Sequence, residues 1–583
     1  MKTIQYTIIS FAIAVATSLG SSAQDLNKEI SIDKDIVPEM KESDRIYSSP
    51  TVPQMKIKNV KLNYNEKAKV TDVVSSIVML DAAENIDTMK ISPYKGYAML
   101  GYFPVYNLDF SAGYRFIDNE KMKLNAWAQY NGLSYDATPR SGKEMSLYDH
   151  EVTLDVNYAQ RINNKSILKL NADYSYNHFS CPWWGSDYTQ NVNQFNIGGK
   201  WYSSIDGLKY NVDARYNYFG YGKDANYNLT KYEHSGSGFD AVKEHNVNVN
   251  AGASLEIADD ASVALDLGVA IAHDNHFLKP SWGLWNENSH WHGYKDNDGY
   301  THSILTLIPH YDFKWRDVTA KIGARVDLQL DIDTEINFAP DVYVNWDATK
   351  FISAYARFAG GVYQNTLSSV FDESHYFMSS VAYGNSKLPF VIDAGVYLGP
   401  FKNATIEVFG GYAHANDWLM PIVIKENEHL MDEVDLKGWH VGVAASYRYK
   451  NWGKMRVSYE MAPQSHDKGY YMWRDRAKHV VKASAVITPI APLDVTLDYE
   501  YRGSRCSYKQ SVIYNQPQNE LYPSYSRLSL GQMNNLSIGG LYRYTDQISF
   551  FARLENILNR KYDLLYDIPS QGFTGLVGAT YKF

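Results

Sequence analysis

The chain has 583 residues, of which 45% are hydrophobic and 21% are charged, and its formal net charge is −9. This acidic balance argues against nucleic acid as a partner, because surfaces that bind nucleic acid are usually basic. Only two cysteines occur, which excludes a disulfide scaffold, an iron–sulfur cluster and a cysteine-rich zinc site.

Residues 1–23 have the pattern of a secretory signal peptide. Lys2 precedes a short apolar run at 8–19, and the small residues Ser21 and Ala23 stand at the −3 and −1 positions of a cleavage site. The apolar run is too short to cross a bilayer as a helix, and no cysteine follows the site to carry a lipid anchor. A buried core helix is the alternative, but the small residues at the −3 and −1 positions favour export with cleavage near Ala23.

Residues 24–92 are polar and weakly patterned, with many lysines and aspartates. Nowhere beyond Ala23 is an apolar stretch long enough for a membrane helix, so any part of the mature chain that spans a membrane must do so as strands. We predict that this segment is an N-terminal extension in the periplasm.

From residue 93 onward, apolar and polar residues alternate over stretches of about ten residues, as in 168–177, 208–218 and 493–502. Ordinary strands average about 5 or 6 residues, whereas strands that cross a bilayer need about 9 to 11. Tyrosines end many of the apolar faces, which is the arrangement of an aromatic girdle at the lipid headgroups. The polar positions, which we expect to face a lumen, include Lys169, Asp173, Asp213, Arg215, Asp494, Asp498, Glu500 and Arg502.

Short turns alternate with long polar loops along this region. The turns include 162–165, 204–207, 258–260, 401–403 and 544–547, and the loops include 132–148, 361–390, 415–437, 504–527 and 556–571. This parity predicts an all-β fold over 93–583, namely a transmembrane antiparallel β-barrel of about 22 strands with tight periplasmic turns. A soluble sandwich or propeller with tyrosines in its core is the alternative, but its strands would be shorter.

The last strand carries Val577, Ala579, Tyr581 and Phe583 on one face. Such a strand must pair with the first strand, so that no edge is left in the lipid of the outer membrane. Tyr581 and Phe583 also resemble the terminal signal by which the barrel-assembly machinery recognises its substrates.

The segment 551–583 resembles the C-terminal signature of TonB-dependent receptors. The matching residues are Leu554, Glu555, Asn556, Ile557, Leu558, Lys561, Tyr562, Pro569, Gly572 and Phe583. The resemblance implies the same strand number, the outer membrane of a Gram-negative bacterium, solute transport and TonB as a partner. A glutamine directly after the predicted cleavage site, here Gln24, and the abundance of tyrosine and asparagine resemble features of proteins from Bacteroidota.

The front of the chain departs from this family. TonB-dependent receptors carry a globular plug domain before the barrel, and segment 24–92 is too short for a full plug and lacks its motifs. The stretch 28–36 (KEISIDKDI) either mimics a TonB-contact segment or is an incidental run. The sequence therefore does not decide whether transport is energised. A periplasmic or surface protein is another candidate partner.

The predicted loops contain the candidate binding residues. Exposed tryptophans can stack on sugar rings or flat ligands, although loop aromatics also pack over a barrel mouth. His273, His276, His290 and His292 share one predicted loop, but their spacing matches no closed zinc site, so no metal is predicted. The candidate ligand-binding residues are Trp183, Trp184, Trp282, Trp285 and Trp291.

Cys181 and Cys506 lie in two predicted loops that are far apart in strand order. The sequence therefore does not decide whether they form a disulfide. No nucleophile motif, P-loop or dinucleotide fingerprint is present, so the sequence predicts neither an enzyme nor a cofactor. Two functions fit these expectations. The barrel either passes a solute through its lumen or is a scaffold for outer-membrane or periplasmic partners.

Overall fold

The computed structural model describes residues 93–583 apart from several gaps, and the signal peptide and extension predicted over 1–92 lie outside the described residues. No helix in the described part is long and apolar enough to cross a membrane. The gaps are 105, 141, 143, 182–188, 223–240, 276, 280–293, 297–298, 331–333, 378–382, 424–428, 450–452, 463–476 and 516–519.

Twenty-two strands form one closed antiparallel sheet, which confirms the predicted fold class and strand number. They are β1 (Gly96–Phe103), β2 (Asn107–Asp118), β3 (Met122–Ala137), β4 (Met145–Asn163), β5 (Ser166–Ser180), β6 (Thr189–Ile205), β7 (Leu208–Tyr221), β8 (Lys243–Ala258), β9 (Ala261–Asp274), β12 (Tyr300–Trp315), β13 (Val318–Leu330), β14 (Thr334–Thr349), β15 (Ile352–Tyr363), β16 (Ser386–Phe401), β17 (Ala404–Val423), β18 (His429–Tyr449), β19 (Gly453–Met461), β20 (His479–Ile490), β21 (Leu493–Asn515), β22 (Glu520–Arg543), β23 (Ile548–Glu555) and β26 (Thr574–Lys582). The connections hold the hairpins β10 (Phe277–Lys279) with β11 (Tyr294–Asp296) and β24 (Asp563–Leu565) with β25 (Ile568–Pro569), and the helix α1 (Leu367–Glu373).

The sheet closes where β26 pairs with β1. The amides of Lys95 and Gly96 both donate to the carbonyl of Phe583 at 2.8 Å, and the Phe583 amide donates to the Gly96 carbonyl at 3.0 Å. A Cβ at position 96 on β1 would lie 2.5 Å from the Phe583 ring, so a larger residue there would have to displace that ring. Closure removes both sheet edges, as the outward apolar surface requires.

The two ends of the barrel differ. At one end, which we call the turn end, the chain enters β1, leaves β26 and makes turns of two to four residues. Asp206, Gly207, Lys402 and Asn403 have positive φ in two of these turns, as the type I′ hairpin requires. The opposite end, which we call the loop end, carries the longer connections, as the sequence predicts.

Alternation places apolar residues outward around the barrel. Phe338 and Ile336 on β14 are exposed to 74% and 62%, and Leu170 and Leu497 to 43% and 41%. Since Cβ atoms alternate across a strand, their neighbours in sequence point inward. The orientation predicted for segments 168–177 and 493–502 is therefore correct.

Three predicted loops are largely strand. The sheet continues through much of 132–148, 415–437 and 504–527, because β3, β4, β17, β18, β21 and β22 extend beyond the apolar band. The prediction of loops in these segments was wrong because it relied on an apolar strand face. Beyond the apolar band neither face of a strand contacts lipid, so strands pair there without such a face. Polar residues in register keep the ladder hydrogen bonds there.

Removing Phe583 should weaken the seam. The truncated chain loses three backbone hydrogen bonds at about 1 kcal/mol each, so we expect a loss of roughly 2–3 kcal/mol. Urea unfolding of the detergent-solubilised barrel, followed by the gel shift between folded and unfolded forms, measures it. The Phe583→Leu variant keeps the backbone bonds and should stay close to wild type. Equal stability of the truncated and full chains would contradict closure of the sheet through these contacts.

Candidate functional site

The chain enters the lumen from the end of β15. Arg325 Nε contacts both carboxylate oxygens of Asp327 at 2.8 and 2.9 Å, and a guanidinium NH2 donates to the Val362 carbonyl at 2.9 Å. The Val362 amide donates to Asp327 at 2.8 Å. Gly361 has φ of 144° and lies so close to Arg325 that a Cβ would be 2.5 Å from the guanidinium. This buried pair fixes the bulge at which the connection to β16 turns inward.

The inserted connection begins with helix α1, which is anchored to β8, a strand that is not adjacent to β15 or β16. Glu244 on β8 accepts the amide of Leu367 at 2.5 Å and that of Ser368 at 3.4 Å. Asp274, the register partner of Glu244 on β9, is buried beside it. His375 Nδ1 lies 3.0 Å from Asp149 on β4. Helix α1 and the residues that follow it thus contact two strands, β8 and β4, that are not adjacent to β15.

The apolar side of this connection is buried against inward-facing aromatic residues. Phe371 lies with its ring 5.8 Å from Phe179 on β5 and 5.4 Å from Phe219 on β7, and it stacks on His375 at 4.3 Å. We call the buried apolar group around it the mouth cluster. Its members are Phe179, Cys181, Val192, Phe219, Tyr221, Val242, Ala359, Leu367, Val370, Phe371, Tyr376, Phe377, Tyr383, Leu388, Val391, Ala413, Ala415, Met420, Ile422, Met431, Val434, Leu436, Cys506, Tyr508, Leu564, Leu565 and Ile568.

A second connection, 556–573, enters the mouth cluster from the other side. Its hairpin of β24 and β25 contributes the buried Leu565 and Ile568. Arg505 on β21 donates to the Asp563 carbonyl at 2.9 Å, and the Arg140 guanidinium lies 2.7 Å from the Asp563 carboxylate. Burial raises the pKa of Asp563, and the charge of Arg140 opposes that rise. Burial likewise raises the pKa of Tyr562 to about 12.

The longest strands also fold together at the loop end. β19 and β20 are short, whereas β17 and β18 on one side of them and β21 on the other continue further. The end of β17 therefore reaches over them and pairs in parallel with β21, with Ile422 opposite Tyr508 and Val423 opposite Lys509. Tyr525 on β22 donates to the carboxylate of Asp432 on β18. These contacts draw one side of the wall across the opening.

Below the mouth cluster the lumen wall is polar, and its charges are paired both within and across strands. Lys200 lies 2.9 Å from Asp213, which also contacts Arg215 at 2.8 Å. Arg502 lies 2.6 Å from Glu500. The charged residues predicted to face the lumen therefore do so, and ion pairs compensate these examples.

Two buried histidines on the same wall each lie between two carboxylates. His310 has Nε2 3.3 Å from Asp266 and Nδ1 3.1 Å from Asp312. His440 has Nε2 3.2 Å from Asp393 and Nδ1 3.1 Å from Glu460 on β19. Carboxylate oxygens accept hydrogen bonds, so this arrangement suits a ring protonated on both nitrogens. Within the described ranges no three His, Cys, Asp or Glu side chains are arranged to hold a metal ion.

The predicted ligand-binding residues Trp183, Trp184, Trp282, Trp285 and Trp291 all lie outside the described residues, as do His276, His290 and His292. Both cysteines are thiols that are fully buried in the mouth cluster, so the disulfide left open by the sequence is not formed. Burial raises the pKa of the Cys181 thiol well above its usual range. Tyr581 and Phe583 face outward at the seam, each exposed to 49%.

Sequence reasoning missed the mouth cluster because it treated 361–390 and 556–571 as polar loops. A signal was present, since LSSVFDESHYF at 367–377 and DLLYDI at 563–568 contain closely spaced apolar residues. The lumen histidines also had a signal. His310 and Asp312 are two residues apart on the polar face of a strand, which makes them neighbours on one side of the sheet.

The geometry can be compared with known proteins. No family model matches the sequence, and no curated protein matches it significantly. The FrpB iron transporter from Neisseria meningitidis is similar in fold, with a TM-score of 0.62 at 11% identity over 84% of this chain and 81% of that chain. A mutant of the ferric enterobactin receptor PfeA from Pseudomonas aeruginosa gives 0.61 at 11% identity over 84% and 80%. The siderophore receptor PirA from Acinetobacter baumannii gives 0.61 at 10% identity over 84% and 80%.

Replacing Glu244 with glutamine should loosen α1. The helix loses a charged acceptor for its first amides, which costs about 1.5–3 kcal/mol and increases local opening roughly ten- to a hundredfold. Hydrogen–deuterium exchange over 367–377 measures this effect. Glu256→Gln is the matched control, because Glu256 lies on the same strand but is exposed and pairs with Lys209 at the turn end. Unchanged protection of α1 in E244Q would rule out the anchoring role.

Proposed function

We propose that this chain is an outer-membrane transport protein that passes a solute through its barrel, and that solute entry requires the mouth cluster to open. The observation that carries the proposal is the combination of a polar lumen wall with a self-made apolar closure at the loop end. A lumen of about 22 strands is too wide for side chains of the wall alone to fill. The inserted connections therefore control access.

The location follows from the outward surface. A closed sheet with large apolar residues around its outside is stable in lipid, where no backbone group can be left unpaired. In outer-membrane barrels the short turns face the periplasm, which supports a position of the loop end outside the cell. The predicted signal peptide with cleavage near Ala23 and the predicted periplasmic segment 24–92 agree with this orientation.

The class of solute is best tested first among iron complexes. The resemblance of segment 551–583 to TonB-dependent receptors favours uptake, and the solved structures of similar fold carry the descriptions iron transporter, ferric enterobactin receptor and siderophore receptor. All three are transport or receptor proteins, which supports a non-enzymatic role here. TonB is the proposed energy-supplying partner, and loss of uptake in cells without TonB would support it.

Two finer expectations stay part of the proposal. The mature chain is expected to lack a full plug domain, because segment 24–92 is short, so its own inserted connections would take over the closing role. Tyr581 and Phe583 are expected to be read by the barrel-assembly machinery. Their outward position at the seam is compatible with recognition before closure.

A scaffold function is the second candidate, and the mouth cluster gives it a specific basis. A barrel whose opening is filled by its own residues can serve as a wall that presents loops and the N-terminal segment to partners. The two functions differ in what happens when the closure is weakened. When the closure is weakened, a transport barrel conducts ions through its lumen. A scaffold barrel does not, because it has no continuous path across the membrane.

Single-channel recording in planar bilayers tests the proposal. We expect the wild-type barrel to show little current. Phe371→Ala removes a buried ring at a cost of about 3–5 kcal/mol and should produce frequent, large openings. The matched control is Phe409→Ala, which removes a ring from the lumen wall of β17 outside the mouth cluster.

The control should conduct like the wild type. A silent Phe371→Ala barrel that is correctly folded would contradict the transport proposal and favour the scaffold. Large currents through the wild-type barrel would contradict the closure itself.

A further inference from the structure

An outward-facing cleft lies at the loop end of β3, β4 and β5. Its cavity of about 450 Å³ is lined by Tyr106, Ser134, Tyr148, His150 and His178. The four lining residues on β3, β4 and β5 share the outward face of their strands, because Gly132 pairs with His150 and His150 pairs with His178. The cleft therefore opens toward the surroundings of the barrel and not toward the lumen.

Below the cleft the same face becomes apolar. Leu154 and Val156 on β4 are exposed to 47% and 45%, and Leu170 on the neighbouring strand β5 is exposed to 43%. The change from aliphatic to tyrosine and histidine side chains marks the level at which a bilayer gives way to headgroups. The cleft thus lies where a headgroup would be, directly above the positions for its acyl chains.

The polar groups of the cleft form a hydrogen-bonded chain. The hydroxyls of Tyr106 and Tyr130 are 3.3 Å apart, and the Tyr130 hydroxyl is 3.0 Å from His150 Nδ1. When Tyr130 donates to Nδ1, a neutral His150 ring carries its proton on Nε2. His150 Nε2 has no hydrogen-bond partner among the described residues. His178, whose Nε2 is 3.5 Å from the Tyr148 hydroxyl, has an equally unused Nδ1.

We propose that this cleft binds the phosphorylated headgroup of an outer-leaflet lipid. Two imidazoles and three hydroxyls can donate hydrogen bonds, and no carboxylate is among the described residues that line the cavity, which suits an anionic acceptor. The aliphatic face below accepts acyl chains, so the ligand is the lipid and not free phosphate. The inference rests on the proposed membrane location and is independent of solute transport.

A second pair of the same kind provides a control. The Tyr459 hydroxyl is 2.9 Å from His479 Nδ1 on the outward face of β19 and β20. This pair has a single histidine and does not line the cleft. Replacing His479 changes a tyrosine–histidine contact on the outer surface without touching the cleft.

Native mass spectrometry of the full-length barrel released from detergent tests the proposal. The probes are monophosphorylated lipid A, its dephosphorylated form and inorganic phosphate. We expect the phosphorylated lipid to be retained at least tenfold better than the dephosphorylated form. Inorganic phosphate at equal concentration should not displace it. The double variant His150→Phe with His178→Phe should lose that preference, and Ser134→Trp should do so by filling the cavity.

His479→Phe should retain lipid like the wild type. Equal retention of both lipids by the wild type, displacement by inorganic phosphate, or undiminished preference in both cleft variants would overturn the proposal. Failure of the transport proposal has a separate readout, since conductance does not depend on this surface. A chain that proved soluble without detergent would instead remove the membrane location on which both depend.

Discussion

The constraint on which the structure depends is the pairing of every backbone group in a sheet without edges. The contacts of Phe583 with Lys95 and Gly96 complete that sheet, and only then can apolar side chains cover the outside without exposing backbone polar groups to lipid. Closure also creates a wide lumen. The inward features of the molecule, from paired charges to inserted connections, occupy or line that space.

The side chains that line or fill the lumen change from polar to apolar toward the loop end. Along the wall, ion pairs such as Lys200 with Asp213 keep charges compensated in a space that water can enter. At the loop end the lumen is filled by apolar side chains, because Phe371 and its neighbours form a core of the kind found inside soluble domains. The buried Arg325–Asp327 pair and Glu244 hold the segment that builds this core. An interior that is polar below and apolar above is what the proposed transport path with a closed entrance requires.

Features that depend on a period of two could be predicted from the sequence. Strand orientation at Leu170 and Leu497, the tight turns at 204–207 and 401–403, and the closing role of the last strand were all readable from local pattern. The mouth cluster was not, because Phe179, Phe371 and Leu565 come from distant parts of the chain and meet only after closure. No local pattern records a contact across a lumen.

The two cysteines offer the most direct measurement of the closed mouth. Cys181 follows β5 and Cys506 lies on β21, yet both are fully buried in the mouth cluster. A thiol must reach water and ionise before it reacts with a maleimide. In the membrane-embedded wild-type barrel, a charged maleimide should label neither cysteine until the protein is unfolded. Rapid labelling of either one in the folded barrel would contradict a mouth closed by its own residues.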